Sequence, residues 1–180
     1  MGLSVSNDPS EGVERRRRTR GEPARPEVGI ASDASAVDAV ALDLDAVLAD
    51  TRPLWRDWLE DAARRTRVEL DLPEDRTEAA VLLDESLGDW RPLLQRFAAD
   101  RGPLHFRPRA ETSASLRRLD GAGVRIGVFT DAPRELAEMA LAHVGAARRV
   151  AVVGTLDEVL RELGPGTVVV HSRAELAGLQ

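Results

Sequence analysis

The sequence predicts an α/β protein, with a Rossmann-like parallel sheet, helices on both of its faces and a small all-helical insert after the first strand. Three observations carry this expectation. Short, almost uniformly apolar runs around Val40, Val128, Val150 and Val168 read as strands buried on both sides. Stretches with apolar residues at helical spacing separate those runs. Between the first run and the second lies a long segment, 52–107, in which every pattern is helical.

Residues 1–36 are rich in Ser, Pro, Gly, Glu and Arg, with scarcely an apolar pattern, and are expected to form a disordered tail. Within them Arg15 to Arg18 and Arg20 form a basic cluster. Glu11, Glu14 and Glu22 dilute it and no aromatic residue accompanies it, so a solvated tail is expected rather than a nucleic-acid arm. The first strand leads into Val40–Thr51, VALDLDAVLADT. Alternation along a strand would place Asp43 and Asp45 on one side, with Leu42 and Leu44 on the other. After it, Pro53 suits a first helical turn, and Leu54, Trp55, Trp58, Leu59, Ala62 and Ala63 recur at helical spacing. Trp55 and Trp58 share the leucine face, which points to the core; whether Trp55, Trp58 and Trp90 form core or an exposed patch is left open by the pattern.

A second helix is expected over Pro73–Leu87, stopped by Gly88, and a third from Asp89 to Asp100, stopped by Gly102. The helical stretch Arg109–Asp120 then passes through Gly121 and Gly123 into a strand over Val124–Phe129 that ends in Thr130 and Asp131. A helix over Pro133–Val144, a strand over Val150–Val153, a helix over Thr155–Leu163 and a strand over Thr167–Val170 complete the alternation. Thr155 and Glu158 form a capping box, as do Ser172 and Glu175. The expected organisation is a tail (1–36), an α/β core (37–51 and 108–180) and a helical cap (52–107).

Composition narrows the chemistry. At 180 residues and 43% hydrophobic content, the chain can bury one sizeable core. A net charge of -6 offers no general attraction to nucleic acid or to an anionic membrane. The absence of cysteine excludes disulfides, thiolate metal sites and cysteine nucleophiles. No apolar run reaches the roughly 20 residues of a membrane span, and the N-terminus lacks the apolar core of a secretory signal, so a cytoplasmic location is expected. All 25 basic residues are arginine. Any cationic contact to a phosphate must therefore be an arginine fork, a helix N-terminus, a histidine or a metal.

Two anions as close as Asp43 and Asp45 repel unless a cation sits between them, so the pair suggests chemistry as well as a simple strand cap. The apolar strand with Asp43, Asp45, Asp50 and Thr51 resembles the first motif of the haloacid dehalogenase superfamily, in its phosphatase branch. The resemblance implies Asp43 as the nucleophile that becomes aspartyl-phosphate and Asp45 as general acid and base. Val128-Phe129-Thr130-Asp131 resembles the second motif, which implies phosphate binding by the Thr130 hydroxyl and nearby N–H groups, with Asp131 beside it. The third motif, a lysine, has no counterpart, and Arg134 is the nearest cation in sequence. The fourth motif, a pair of acids after a strand, is replaced by His171, Ser172, Arg173, Ala174 and Glu175. The resemblance further implies magnesium, held by Asp43, the backbone carbonyl at Asp45 and one further acid, for which Glu175 and Asp131 are candidates, Glu175 being a helix cap as well. His171 is a bystander or a base. The implied function is a phosphomonoesterase acting on a small phosphorylated metabolite, the alternative being an impaired relative that binds a ligand or a protein.

Overall fold

The computed structural model describes residues 37–67 and 71–179, all within one unit, Ser35–Gln180. The expected disordered tail and its arginine cluster lie outside the described residues. Among the described residues four strands form one sheet: β1 (Ala39–Asp43), β2 (Arg125–Phe129), β3 (Val150–Gly154) and β4 (Val168–Val170). Their order is β3-β2-β1-β4, and every pairing is parallel. Parallel neighbours need crossovers, and the helices supply them.

Three helices lie between β1 and the crossover to β2: α1 (Arg52–Thr66), α2 (Arg76–Leu87) and α3 (Arg91–His105). They are followed by α4 (Ala110–Gly121), α5 (Arg134–His143), α6 (Leu156–Leu163) and α7 (Arg173–Gly178). One sheet face carries Val40, Leu42, Ile126, Val128 and Val170 into the main core, which continues through α4, α5 and the insert. The other face is small: Ala39 and Ala41 meet Val159 and Leu163 of α6. Gly127 belongs to this close approach, because a Cβ there would stand 2.6 Å from Val159 Cγ1 and 2.9 Å from Leu163 Cδ1. Both faces of the sheet are covered, as near-continuous apolar strands require.

Several boundaries differ from expectation for identifiable reasons. Asp75 accepts a hydrogen bond from Glu78 N at 2.9 Å, so α2 begins at Arg76 rather than at Pro73. Gly102 does not stop α3. A Cβ at Gly102 would lie 2.5 Å from His143 Nε2, so this glycine serves the approach of α3 to α5, and the helix runs on to His105. The tryptophans are core: Trp55, Trp58 and Trp90 are all buried, their ring centroids 5.1 to 6.0 Å apart. The Trp90 indole N–H is satisfied by Asp84 Oδ1 at 2.8 Å.

Candidate active site

The acid pair does not sit on a strand as alternation predicts. β1 ends at Asp43, and Leu44–Leu48 form a five-residue π-helical turn. Asp43 caps that turn, its Oδ1 accepting from Ala46 N at 3.0 Å, which leaves its Oδ2 without a bond among the described residues. The turn buries Leu44, Val47 and Leu48 and swings Asp45 inward. Asp43 and Asp45 nevertheless line one cleft of about 330 Å³, together with Arg52, Thr130, Asp131 and Thr155. The cleft opens at the carboxyl ends of β1, β2 and β3, where open parallel sheets place their ligands.

Asp45 is fully engaged. Its Oδ1 accepts from Thr51 N at 2.7 Å and from Thr51 Oγ1 at 2.6 Å. Its Oδ2 accepts from Arg76 Nη2 and stands 3.8 Å from Arg52 Nε. The same Arg76 Nη2 donates to Asp131 Oδ1, Arg76 Nη1 donates to Thr51 Oγ1 at 2.6 Å, and the Arg76 backbone N–H reaches Asp131 Oδ2 at 3.3 Å. One guanidinium from the start of α2 therefore ties together the turn after β1 and the end of β2. Burial alone would pull the Arg76 guanidinium down, but the hydrogen bond and charge of Asp131 and those of Asp45 outweigh it, and its pKa is raised. For Asp131, burial works to raise the pKa. The hydrogen bonds and charge of Arg76 override that, and the carboxyl is held below its ordinary value.

Sequence reasoning missed Arg76. A signal was there: Arg76, Ala79 and Leu83 are the buried residues of α2, spaced i, i+3 and i+7, so the arginine stands on the apolar face. A cation at that place is either paired or excluded.

The other sequence candidates are placed as follows. Thr130 N donates to Gly154 O at 3.0 Å and is spent on the sheet, while Thr130 Oγ1 accepts from Ala132 N at 3.0 Å, so its hydroxyl hydrogen is the group left to donate. Arg134 is 82% exposed and donates to Glu138 Oε1 at 2.7 Å. It lines an adjoining cleft with Thr130 and Asp131 but makes no ion pair with Asp43 or Asp45 among the described residues. Glu175 accepts from His171 N at 2.7 Å, its own N–H donating to Ser172 Oγ at 3.2 Å. The His171 backbone bond and the Ser172 hydroxyl hold its carboxyl below the usual range. The His171 ring lies edge-on to Phe129, centroids 5.4 Å apart.

Magnesium demands near-octahedral oxygen donors. Among the described residues no group of three or more His, Asp or Glu side chains is placed to hold a metal ion. Of the two candidates for the further acid, Asp131 is taken by Arg76 and Glu175 by its helix start. The donor set that the sequence resemblance implies, Asp43, the Asp45 carbonyl and one of these acids, does not fit the ion in this arrangement. Among the described residues, no helix is long and apolar enough to cross a membrane.

No protein-family model matches the sequence, and no curated protein matches it. Solved structures do. CbbY from Rhodobacter sphaeroides, in complex with phosphate, is 17% identical over 80% of this chain and 84% of that one, with a TM-score of 0.58. A HAD phosphatase from Thermococcus onnurineus is 22% identical over 68% of this chain and 63% of that chain, at a TM-score of 0.42. L-2-haloacid dehalogenase from Xanthobacter autotrophicus is 15% identical over 68% and 58%, at 0.35. The parallel β3-β2-β1-β4 sheet and the similarity to CbbY agree on the fold: this chain has an α/β, Rossmann-like fold that it shares with CbbY.

Proposed function

We propose that the chain is a hydrolase of small phosphomonoesters that works through Asp43. The observation that carries this reading is the unbonded Oδ2 of Asp43, a residue that lines the cleft and is held by the turn that its Oδ1 caps. Such a carboxylate oxygen is fixed in place and free to attack. The Thr130 hydroxyl lines the same cleft and has a hydrogen to donate to a phosphoryl oxygen. The phosphate in the CbbY structure supports the choice of substrate class.

In this reading Asp43 Oδ2 attacks phosphorus, the bond to the ester oxygen breaks, and the departing alkoxide takes a proton from Asp45. Water then cleaves the acyl phosphate and gives its proton back to Asp45, releasing inorganic phosphate. Asp45, an anion while Arg76 holds it, can serve only after one of its oxygens is relieved of Arg76 or Thr51 and has taken up a proton from solvent, so proton transfer is tied to the position of α2. Arg52, which lines the cleft, is the cation nearest to hand for the incoming phosphate.

A second reading, a ligand-binding protein without turnover, is favoured by one observation: both oxygens of Asp45 are occupied. A panel of phosphomonoesters, assayed with and without magnesium for wild type and Asp43→Asn, separates the two. Phosphate release that disappears in the variant supports the hydrolase; phosphate binding without release in either protein supports the binder.

A further inference from the structure

A second cleft, of about 360 Å³, lies between the start of α4 and α7 and shares none of its lining residues with the cleft at Asp43. Its walls include Arg109, Thr112, Ser115 and Arg173. α4 is 12 residues long and has no side-chain cap, since its N-cap residue is Arg109. Its first intrahelical bond runs from Ser113 N to Arg109 O, so the amides of Ala110, Glu111 and Thr112 have no partner within the helix. Unpaired amides and the helix dipole make this end attractive to an anion.

The side chains give the independent observation. Thr112 is 9% exposed and Ser115 7%, both line the cleft, and neither hydroxyl has a hydrogen-bond partner among the described residues. Both side chains are largely buried, yet neither hydroxyl oxygen is closed off from solvent, so two unpaired hydroxyls on successive turns of one helix face open into the cleft as donors. Arg173 is pinned by its Nε, which donates to Val47 O at 3.1 Å, and this leaves its two terminal nitrogens for another group. The Arg109 guanidinium has no ion pair among the described residues. Glu111 is the one acid among the lining residues, against two arginines. A neighbouring cleft also includes Arg109 and Arg173, together with Arg107 and one acid, Asp50.

We propose that this α4–α7 cleft binds a phosphate-type oxyanion, either free phosphate or the phosphate group of a small metabolite. Arg109 and Arg173 supply charge-assisted forks, Thr112 and Ser115 supply hydroxyl donors, and the first-turn amides close the cradle. The proposal is independent of any chemistry at Asp43.

The test is a calorimetric titration of the full chain with inorganic phosphate and, separately, with glycerol 3-phosphate. The double variant Asp43→Asn/Thr130→Val, which removes the phosphate contacts proposed for the first cleft, is expected to keep one binding event, and the substitutions that follow are made in that background. Thr112→Val, which keeps the side-chain shape, and Arg109→Gln, at an exposed position, are each expected to weaken binding about tenfold with unchanged thermal midpoints. Binding of inorganic phosphate itself identifies the free anion as a sufficient ligand, whereas binding of glycerol 3-phosphate alone identifies the esterified group; both support the site. No binding of either probe overturns the proposal. So does binding that survives Thr112→Val and Arg109→Gln, or that vanishes with Asp43→Asn/Thr130→Val and therefore reports the first cleft.

Discussion

Replacing Arg76 by methionine keeps much of the side-chain volume and removes the charge that Asp45 and Asp131 share. The two acids respond differently. The Asp45 side chain is as buried as that of Arg76, so the substitution strands an anion away from water. Asp131 is 40% exposed and can recruit solvent. Removing one partner of a buried ion pair costs about 3–5 kcal/mol, and the lower end applies because half of the network stays wet. With about 3 kcal/mol lost, the thermal midpoint of a chain of this size should fall by roughly 6–12 °C. Urea unfolding at pH 7 measures the loss directly, and the double variant Arg76→Met/Asp45→Asn should recover a good part of it, because no stranded charge remains. A loss below about 1 kcal/mol, the range of an exposed pair, together with strict additivity in the double variant, would refute the assignment of Arg76 as the cation that fastens α2 to the core.

Other expectations follow from the same geometry. Asp43→Asn should lower phosphomonoester turnover by on the order of 10³ or more while leaving the unfolding midpoint within a degree or two, checked by steady-state kinetics beside calorimetry. Gly127→Ala should destabilise by about 1–3 kcal/mol, since the new methyl meets three branched side-chain atoms within 3.0 Å; an unchanged midpoint would show that α6 can retreat. Thr155→Ala removes the side chain that accepts from Glu158 N and should cost about 1 kcal/mol in denaturant unfolding. The folded-state pKa of Asp131 is depressed by its contacts with Arg76, so this pair stabilises the fold fully above the unfolded value of about 3.9 and loses that contribution as pH falls through the lower folded value. Acid unfolding of wild type should accordingly be steeper below about pH 4 than that of Asp131→Asn.

The sheet was readable because parallel strands buried on both faces must be apolar almost throughout, and the runs at Val40, Val128, Val150 and Val168 are. The starts of α6 and α7 were readable as well, since the hydroxyls of Thr155 and Ser172 are local partners for the first amides. What escaped was non-local. The π-helical turn after Asp43 has no period of its own to announce it, so simple alternation carried the strand two residues too far. Gly102 looks like a helix stop in one dimension and is a contact with His143 in three. Arg76 lies far from Asp45 in sequence, and nothing near it names its partners; only its place on the apolar face of α2 marks it. Arg134 is the nearest cation to Thr130 in sequence, yet an (i, i+4) acid, Glu138, already holds it at the surface.

The pairing of β1 also orders events in time. Ala39 lies beside Arg125 and Val40 beside Val168, so β1 finds both of its neighbours only after β2 and β4 have been made. Until then the apolar edges of β1 have no ladder to join, whereas α1, α2 and α3 can begin to form from local bonds alone. Closure of the sheet, and with it the placement of Asp43, belongs to the last stage of folding. A slow step that waits on the synthesis of β4, visible as late protease resistance of β1 during translation, is the kinetic signature of this topology.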